Sequence, residues 1–388
     1  MSNEPCAVVG IGQTHHKSRR RDVSIGGLVR EAVFRALDDA QMTMADIDAV
    51  ILGKAPDLFE GVMKPELYLS DALGAVGKPM FRVHTAGSVG GSTAVVAASH
   101  IQAKRFKRVL AVAFEKQSEG NAQFALGSGK GASLGAGGAF APFIRAYIQR
   151  TGAPEHIGWK VAVKDRQNAL KNPYAHLKLH DLTIEKVRDS PMMWEPLRYL
   201  ESCPSSDGAC ALVLTDEAGG KAAAADGRPP AWVLGTASRS EPAAFPGRDP
   251  VRPQATVDCA WHVYRQAGIT NPRQQIDMAE LYVPFSWHEA IWLEAHDLAE
   301  PGEGWKMIDR GETELGGALP INASGGVLSS NPIGASGLLR FGEAALQVRG
   351  AAGEHQVDGA KVALAMAYGA SSQYFSMWAV GSSLHPFD

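Results

Sequence analysis

Two stretches of this 388-residue chain set small residues where chemistry could be done. The first, Val83–Ala94 (VHTAGSVGGSTA), places His84, Ser88 and the pair Gly90-Gly91 in a tight turn that runs directly into an apolar helix. The first turn of a helix leaves backbone N–H groups without intrahelical partners, so such a turn suits an oxyanion, a thioester carbonyl or a phosphate. The same small residues also suit close packing of two helices, and this stretch alone leaves both readings open. The second, Ser329–Gly337 (SSNPIGASG), has the same grammar and carries Asn331. Two glycine motifs are discounted. GIGQTHH, at the end of the opening strand, lacks the third glycine and the prompt helix of a dinucleotide site, and GSGKG lacks the Gly-Lys-Ser/Thr ending of a phosphate loop. The four cysteines, Cys6, Cys203, Cys210 and Cys259, are far apart with no CxxC spacing, so they read as reduced cytosolic thiols and not as zinc or redox ligands.

The elements that must hold these turns repeat as well. The first turn leads to the helical segment Val95–Gln102 and the buried strand Val109–Phe114; the second leads to the helix Leu338–Val348 and the strand Val362–Met366. Each copy is preceded by a strand that follows an acidic residue, Asp48–Leu52 in one half and Met278–Tyr282 in the other. One strand–turn–helix–strand plan used twice predicts an internally duplicated α/β architecture. Amphipathic helices are expected over Ile25–Ala40 and Thr256–Ala267, and strands over Ala7–Gly12, the SSDGACALVL stretch Ser205–Leu214, and Ala231–Thr236. Lys54–Ala75, with Met63, Leu67 and Leu69, reads as an irregular connector at a dimer or cleft surface.

Residues 115–204 break the repeat and read as an inserted, loop-rich subdomain. They hold a glycine-rich piece, Leu126–Gly138, followed by Phe140, Phe143, Tyr147, Trp159, Tyr174, Met192, Met193 and Trp194. A movable loop with aromatic helices behind it suits a cover over a bulky apolar ligand, and equally a packing or dimerisation subdomain. The expected division is 1–114 with 205–240 for the first half, 115–204 for the insertion, and 241–388 for the second half. With 38 Lys and Arg against 41 Asp and Glu, a net charge of −3, there is no electrostatic footprint for nucleic acid. No apolar run reaches the length of about eighteen residues that a membrane helix needs, and the chain starts directly in a strand, so a cytoplasmic protein is expected.

The duplicated halves, the SVGGSTA turn–helix, the SSDGACALVL strand and the NPIGASG turn–helix together resemble the thiolase superfamily, most of all its lipid-transfer-protein or sterol-carrier-type branch. The resemblance covers nearly the whole chain. It implies a five-layered α/β/α/β/α fold, a homodimer and acyl-CoA ligands, with coenzyme A arriving as part of the substrate and no covalently bound cofactor. The departures carry as much information. Ser88 stands where a thiolase keeps its nucleophilic cysteine, Asn331 stands for the histidine of GHPxGxxG, and Tyr282-Val283-Pro284-Phe285 replaces the NEAF-type motif. The stretch Ala365–Ser371, where the family carries a second cysteine, contains none.

A serine hydroxyl is barely ionised near neutral pH and needs a base within hydrogen-bond reach. His84 is the nearest candidate in sequence. Ordinary thiolysis therefore gives way to an aldolase expectation, because some thiolase-like proteins of steroid side-chain degradation, partnered by a small OB-fold protein, are retro-aldolases. In that scheme Tyr282 and Tyr368 form the proton-transfer pair, while Asn331 and backbone N–H groups at Ser88–Gly91 and near Gly369 hold the thioester oxygen. His288 joins if the fold returns it to the cleft. Two other readings stand beside it, a catalytically silent acyl-CoA-binding subunit and residual acyl transfer through Ser88.

Overall fold

The computed structural model describes residues 4–55, 64–120, 135–242 and 247–387. Met63 and most of the glycine-rich piece, including GSGKG, lie outside the described residues. The strands are β1 (Cys6–Gln13), β2 (Ala49–Lys54), β3 (Met80–Val83), β4 (Arg108–Lys116), β5 (Met192–Trp194), β6 (Leu197–Arg198), β7 (Asp207–Asp216), β8 (Ala231–Ser240), β9 (Met278–Glu280), β10 (Val362–Gly369) and β11 (Tyr374–Gly381).

Nine of them form a sheet in the order β3-β2-β4-β7-β1-β8-β11-β10-β9. Its two ends mirror each other. In the first half β2 and β4 are parallel while β4–β7 and β7–β1 are antiparallel. In the second half β9 and β10 are parallel while β10–β11 and β11–β8 are antiparallel. The halves meet where β1 pairs β8 through Ala7 with Trp232 and Val8 with Ala231. The repeat seen in the sequence is thus a repeat of sheet topology.

The helices sort into layers by their patterning. Ile25–Asp39 buries Leu28, Val29, Ala32, Val33, Ala36 and Leu37 along one stripe and leaves Arg30 and Phe34 exposed, so it covers one outer face of the sheet. It starts where Ser24 Oγ accepts the Gly27 N–H at 3.1 Å. Gln254–Ala267 covers the corresponding face of the second half, with Ala255, Cys259, Ala260, Val263 and Tyr264 inward. Val89–Gln102 and Ile333–Val348 differ from both. They are built from small and apolar residues nearly all round, touch each other, and pack against strands of both halves. They form the middle layer of α/β/α/β/α.

Both inner helices start earlier than the sequence periodicity predicts, at Val89 and Ile333 instead of Val95 and Leu338. The reason is their crossing. A Cβ on Gly91 would lie 2.7 Å from the Ala367 Cβ and 3.1 Å from the Phe341 ring, and one on Gly337 would lie 2.6 Å from Gly91 N. Glycine here admits close contact, so residues that look like a loop in sequence form the first turns of two touching helices. Two tyrosines also move. Tyr282 lies two residues beyond β9, and Tyr368 is within β10 and not in a loop.

Candidate active site

Asn331 sits in the turn that opens the second inner helix, and four parts of the chain converge on it. Its N–H donates to Ser206 Oγ at 3.1 Å, and its carbonyl accepts from Gln117 Nε2 at 2.8 Å. Its side-chain Oδ1 accepts from Ser336 Oγ at 2.7 Å and from the Tyr282 hydroxyl at 3.4 Å, while Nδ2 donates to Cys203 Sγ at 3.2 Å. Tyr282 is fixed in turn by Trp292 Nε1, which donates to its carbonyl at 2.9 Å.

Tyr368 stands beside Tyr282 with ring centroids 5.4 Å apart and planes at 78°. Around it lie Trp292 at 5.0 Å, His288 at 5.6 Å, Phe140 at 5.8 Å and Phe375 at 5.9 Å. Its side chain is only 2% exposed, yet its hydroxyl has no hydrogen-bond partner among the described residues. A buried hydroxyl left unpaired costs about 1–3 kcal/mol, so an orphan of this kind marks a position that a ligand or water completes. Burial, reinforced by the neighbouring Tyr282, pushes the Tyr368 phenol well above its ordinary range, and burial pushes Tyr282 up as well. Both phenols are therefore proton-bearing near neutral pH.

His288 opens the short helix His288–Ala295, and the fold returns it to the side of Tyr368. Burial lowers its pKa to about 4, so the ring is neutral at pH 7. Its Nδ1 lies 3.2 Å from the Phe285 carbonyl. A carbonyl only accepts, which puts the proton on Nδ1 and leaves the Nε2 lone pair as the ring's basic position.

The first turn is built differently. Ser88 is fully buried, and its hydroxyl donates to the Thr85 carbonyl at 2.6 Å and lies 2.9 Å from Thr85 Oγ1. From Thr85 the hydroxyls continue to Ser92 at 2.7 Å and on to Ser376 at 2.8 Å. His84 is exposed, and the partner Ser88 uses is Thr85. The ligand role expected for Gly90 and Gly91 rests on their backbone N–H groups; the space a side chain would need there is filled by Leu338, Gly334, Ala367 and Phe341, so these glycines also serve the crossing of the two inner helices. Gly369 ends β10 where a Cβ would lie 2.5 Å from Gly87 N, so it lets the strand touch the first turn. Ala370, Ser371 and Ser372 follow it with φ of +52°, +55° and +61°, a left-handed run that turns the chain into β11.

Cys203 is the site residue that the sequence reading missed. Cys6, Cys210 and Cys259 are completely buried, whereas Cys203 is partly exposed and touches Asn331. Burial still pushes its thiol up to about 11. Its distinguishing sign in sequence was its place just before the small-residue turn Ser205–Gly208, and not any cysteine spacing. Two surface clefts, of about 520 and 480 Å³, are lined by residues such as Gln102 and His385 or Ser24 and Tyr68, and neither is lined by Tyr282, Asn331 or Tyr368.

Similarities to known proteins agree with this geometry. A family described as thiolase C-terminal domain-like matches residues 237–378. An acetyl-CoA acetyltransferase of Methanothermobacter thermautotrophicus is 30% identical over 368 residues, covering 92% of this chain and 94% of that protein. Human sterol carrier protein 2 is 28% identical over 380 residues, covering 92% of this chain and 68% of the relative. Among solved structures, the Ltp2-ChsH2(DUF35) aldolase superposes with a TM-score of 0.84 at 26% identity, covering 98% of both chains.

Proposed function

The chain belongs to the thiolase superfamily, in the branch of sterol carrier protein 2 and the lipid-transfer proteins, and from that membership we propose that it is a carbon–carbon lyase cleaving a bulky β-hydroxyacyl-CoA by retro-aldol chemistry. The observation that carries the reading is the buried, unpartnered Tyr368 hydroxyl between Tyr282 and the neutral His288. Retro-aldol cleavage needs the β-hydroxyl proton removed as the Cα–Cβ bond breaks. It also needs the electron pair held as a thioester enolate until that carbon is protonated.

Tyr368, too weak an acid to act as a phenolate, takes the hydroxyl proton only as it passes its own to the basic nitrogen of His288 by way of a water, the two groups making no direct hydrogen bond. Tyr282 gives its proton to the enolate carbon and is reprotonated from the His288 imidazolium by way of Tyr368, which stands between them, so that all three groups end as they began. The Nδ2–H of Asn331 not directed at Cys203 holds the thioester oxygen. Phe140 and Trp194, from the segment between β4 and β7, reach the rings of Tyr368 and Phe285, which supports that segment as the cover over an apolar acyl group, a steroid side chain being one such group. The likeness to the Ltp2-ChsH2(DUF35) aldolase supports a partner protein, and from the family resemblance we extend the proposal to a small OB-fold partner and to a homodimer.

Acyl transfer through Ser88 is disfavoured, since its hydroxyl is already donated to Thr85. The binding-subunit reading draws on one observation, that neither phenol ionises near neutral pH. The test is mass spectrometry of products after incubation, with and without an OB-fold partner, with a β-hydroxyacyl-CoA bearing a bulky side chain. A carbonyl compound plus a shortened acyl-CoA, both lost in Tyr368→Phe, is the expected result. Ligand bound without turnover in every combination would leave a binding subunit.

A further inference from the structure

The geometry points to Cys203 as a positioning residue, whose sulfur holds the Asn331 carboxamide with Oδ1 toward Tyr282 and one Nδ2–H toward the bound thioester; this rests on the lyase reading above. The sulfur does not wander. Cys203 N donates to the Pro284 carbonyl at 2.9 Å, Ser202 bridges Phe285, and Ser286 N donates to the Glu201 carbonyl at 3.0 Å. Glu201, fully buried, fastens the pair of segments by accepting from Ser286 Oγ and Arg198 N, each at 2.9 Å. Arg166 Nη2 donates to the Ser202 carbonyl at 2.9 Å. The segment that carries Cys203 is therefore zipped to the segment that follows Tyr282.

Asn331 needs such a fixture. The other groups on its carboxamide, Ser336 and Tyr282, are hydroxyls that can donate or accept and so do not by themselves choose which way the amide faces. The thiol is a weaker donor than either hydroxyl, and its sulfur, accepting from Nδ2, biases the choice. With the amide so turned, the Tyr282 hydroxyl is a donor to Oδ1, and a second Nδ2 hydrogen is left for a ligand oxygen. The hydroxyl of Tyr368, beside Tyr282 and without a partner among the described residues, supports a ligand position at this wall.

The test compares Cys203→Ala with Cys203→Ser in the full chain. Loss of one hydrogen bond of this strength should lower kcat for C–C cleavage roughly five- to ten-fold in C203A with KM unchanged, and C203S, which restores an acceptor, should recover to within about three-fold of wild type. Wild-type kcat in C203A overturns the assignment. So does an equal loss in both variants, which marks simple packing. A second measurement needs no turnover: native alkylation with iodoacetamide, mapped by peptide mass, should modify Cys203 and spare the three buried cysteines, and acetyl-CoA should slow it. If the wild-type protein cleaves nothing, the lyase reading falls and alkylation decides alone. Slowing by acetyl-CoA then keeps Cys203 on the thioester wall, and an unchanged rate removes it. A C203A chain that does not fold leaves the decision to C203S and the alkylation rate.

Discussion

The two turns that open the inner helices are copies of one plan and have been put to different uses. At the first, Ser88 closes a hydroxyl chain that runs through Thr85 and Ser92 to Ser376 on β11, and Gly91 presses against the opposite helix and strand. At the second, Asn331 gathers Gln117, Cys203 with Ser206, and Tyr282 from three distant segments. The difference lies in what surrounds each turn. The first is enclosed by its twin and by β10, whereas the second faces the segments 199–206 and 282–288, which bring polar and aromatic side chains from outside the repeat. Duplication fixed the positions of both turns, and the unrepeated segments determined which one could act.

The largest test of that contrast is Tyr368→Phe. Removing a group placed to move a proton should lower kcat at least about 100-fold. Because the hydroxyl has no described partner, the melting temperature should hold or rise. A drop in stability with kcat intact would show that the second turn, too, is only packing. Next comes Gly91→Ala, whose Cβ would meet Ala367 and Phe341. It should cost about 1–3 kcal/mol in chemical denaturation, which identifies the first turn as a structural contact; an unchanged unfolding midpoint would reopen a ligand role there.

Glu201 gives the second region a pH dependence that the first lacks. Burial pushes its carboxyl up to about 7 from the ordinary 4.5, so the folded state holds this proton more tightly than the unfolded chain does. Its contribution is unchanged below the ordinary value and becomes unfavourable as pH rises from about 4.5 to 7, reaching about 3 kcal/mol above that window. Glu201→Gln should therefore match wild type in melting temperature at pH 4.5 and exceed it at pH 8. A constant offset across that range would mean the carboxyl is not held protonated. The smallest effect is expected for Ser88→Ala, with kcat within about three-fold of wild type in the cleavage assay, since only an internal hydrogen bond is lost. Covalent acylation of Ser88, seen by intact mass, would reverse the comparison altogether.

Much of this architecture was legible because periodicity and repetition are local signals. The strands at 109–114 and 362–366 and both outer helices needed only neighbouring residues. What was not legible depended on distant partners. Nothing near Gly90 and Gly91 in sequence shows that Leu338 and Ala367 occupy the space beside them. Tyr368 falls beyond the strand expected at Val362–Met366 because AYGASS is rich in small residues; in the fold Tyr282, His288 and Trp292 pack around it, and its strand is buried on both faces. Cys203 lacked any spacing signal, since its partner is 128 residues away. His84 is near Ser88 along the chain, yet an exposed side chain four residues away need not face a buried one.

The middle layer carries a further consequence. If the molecule were divided into its two repeats, each would keep one inner helix with a covered side and a bare side notched by glycine, and the short β1–β8 seam would become a free sheet edge. Such a half could stay in water only by clasping a copy of itself. The present chain is in that sense a dimer whose subunits have been tethered, and the tether released one subunit's turn from having to match the other.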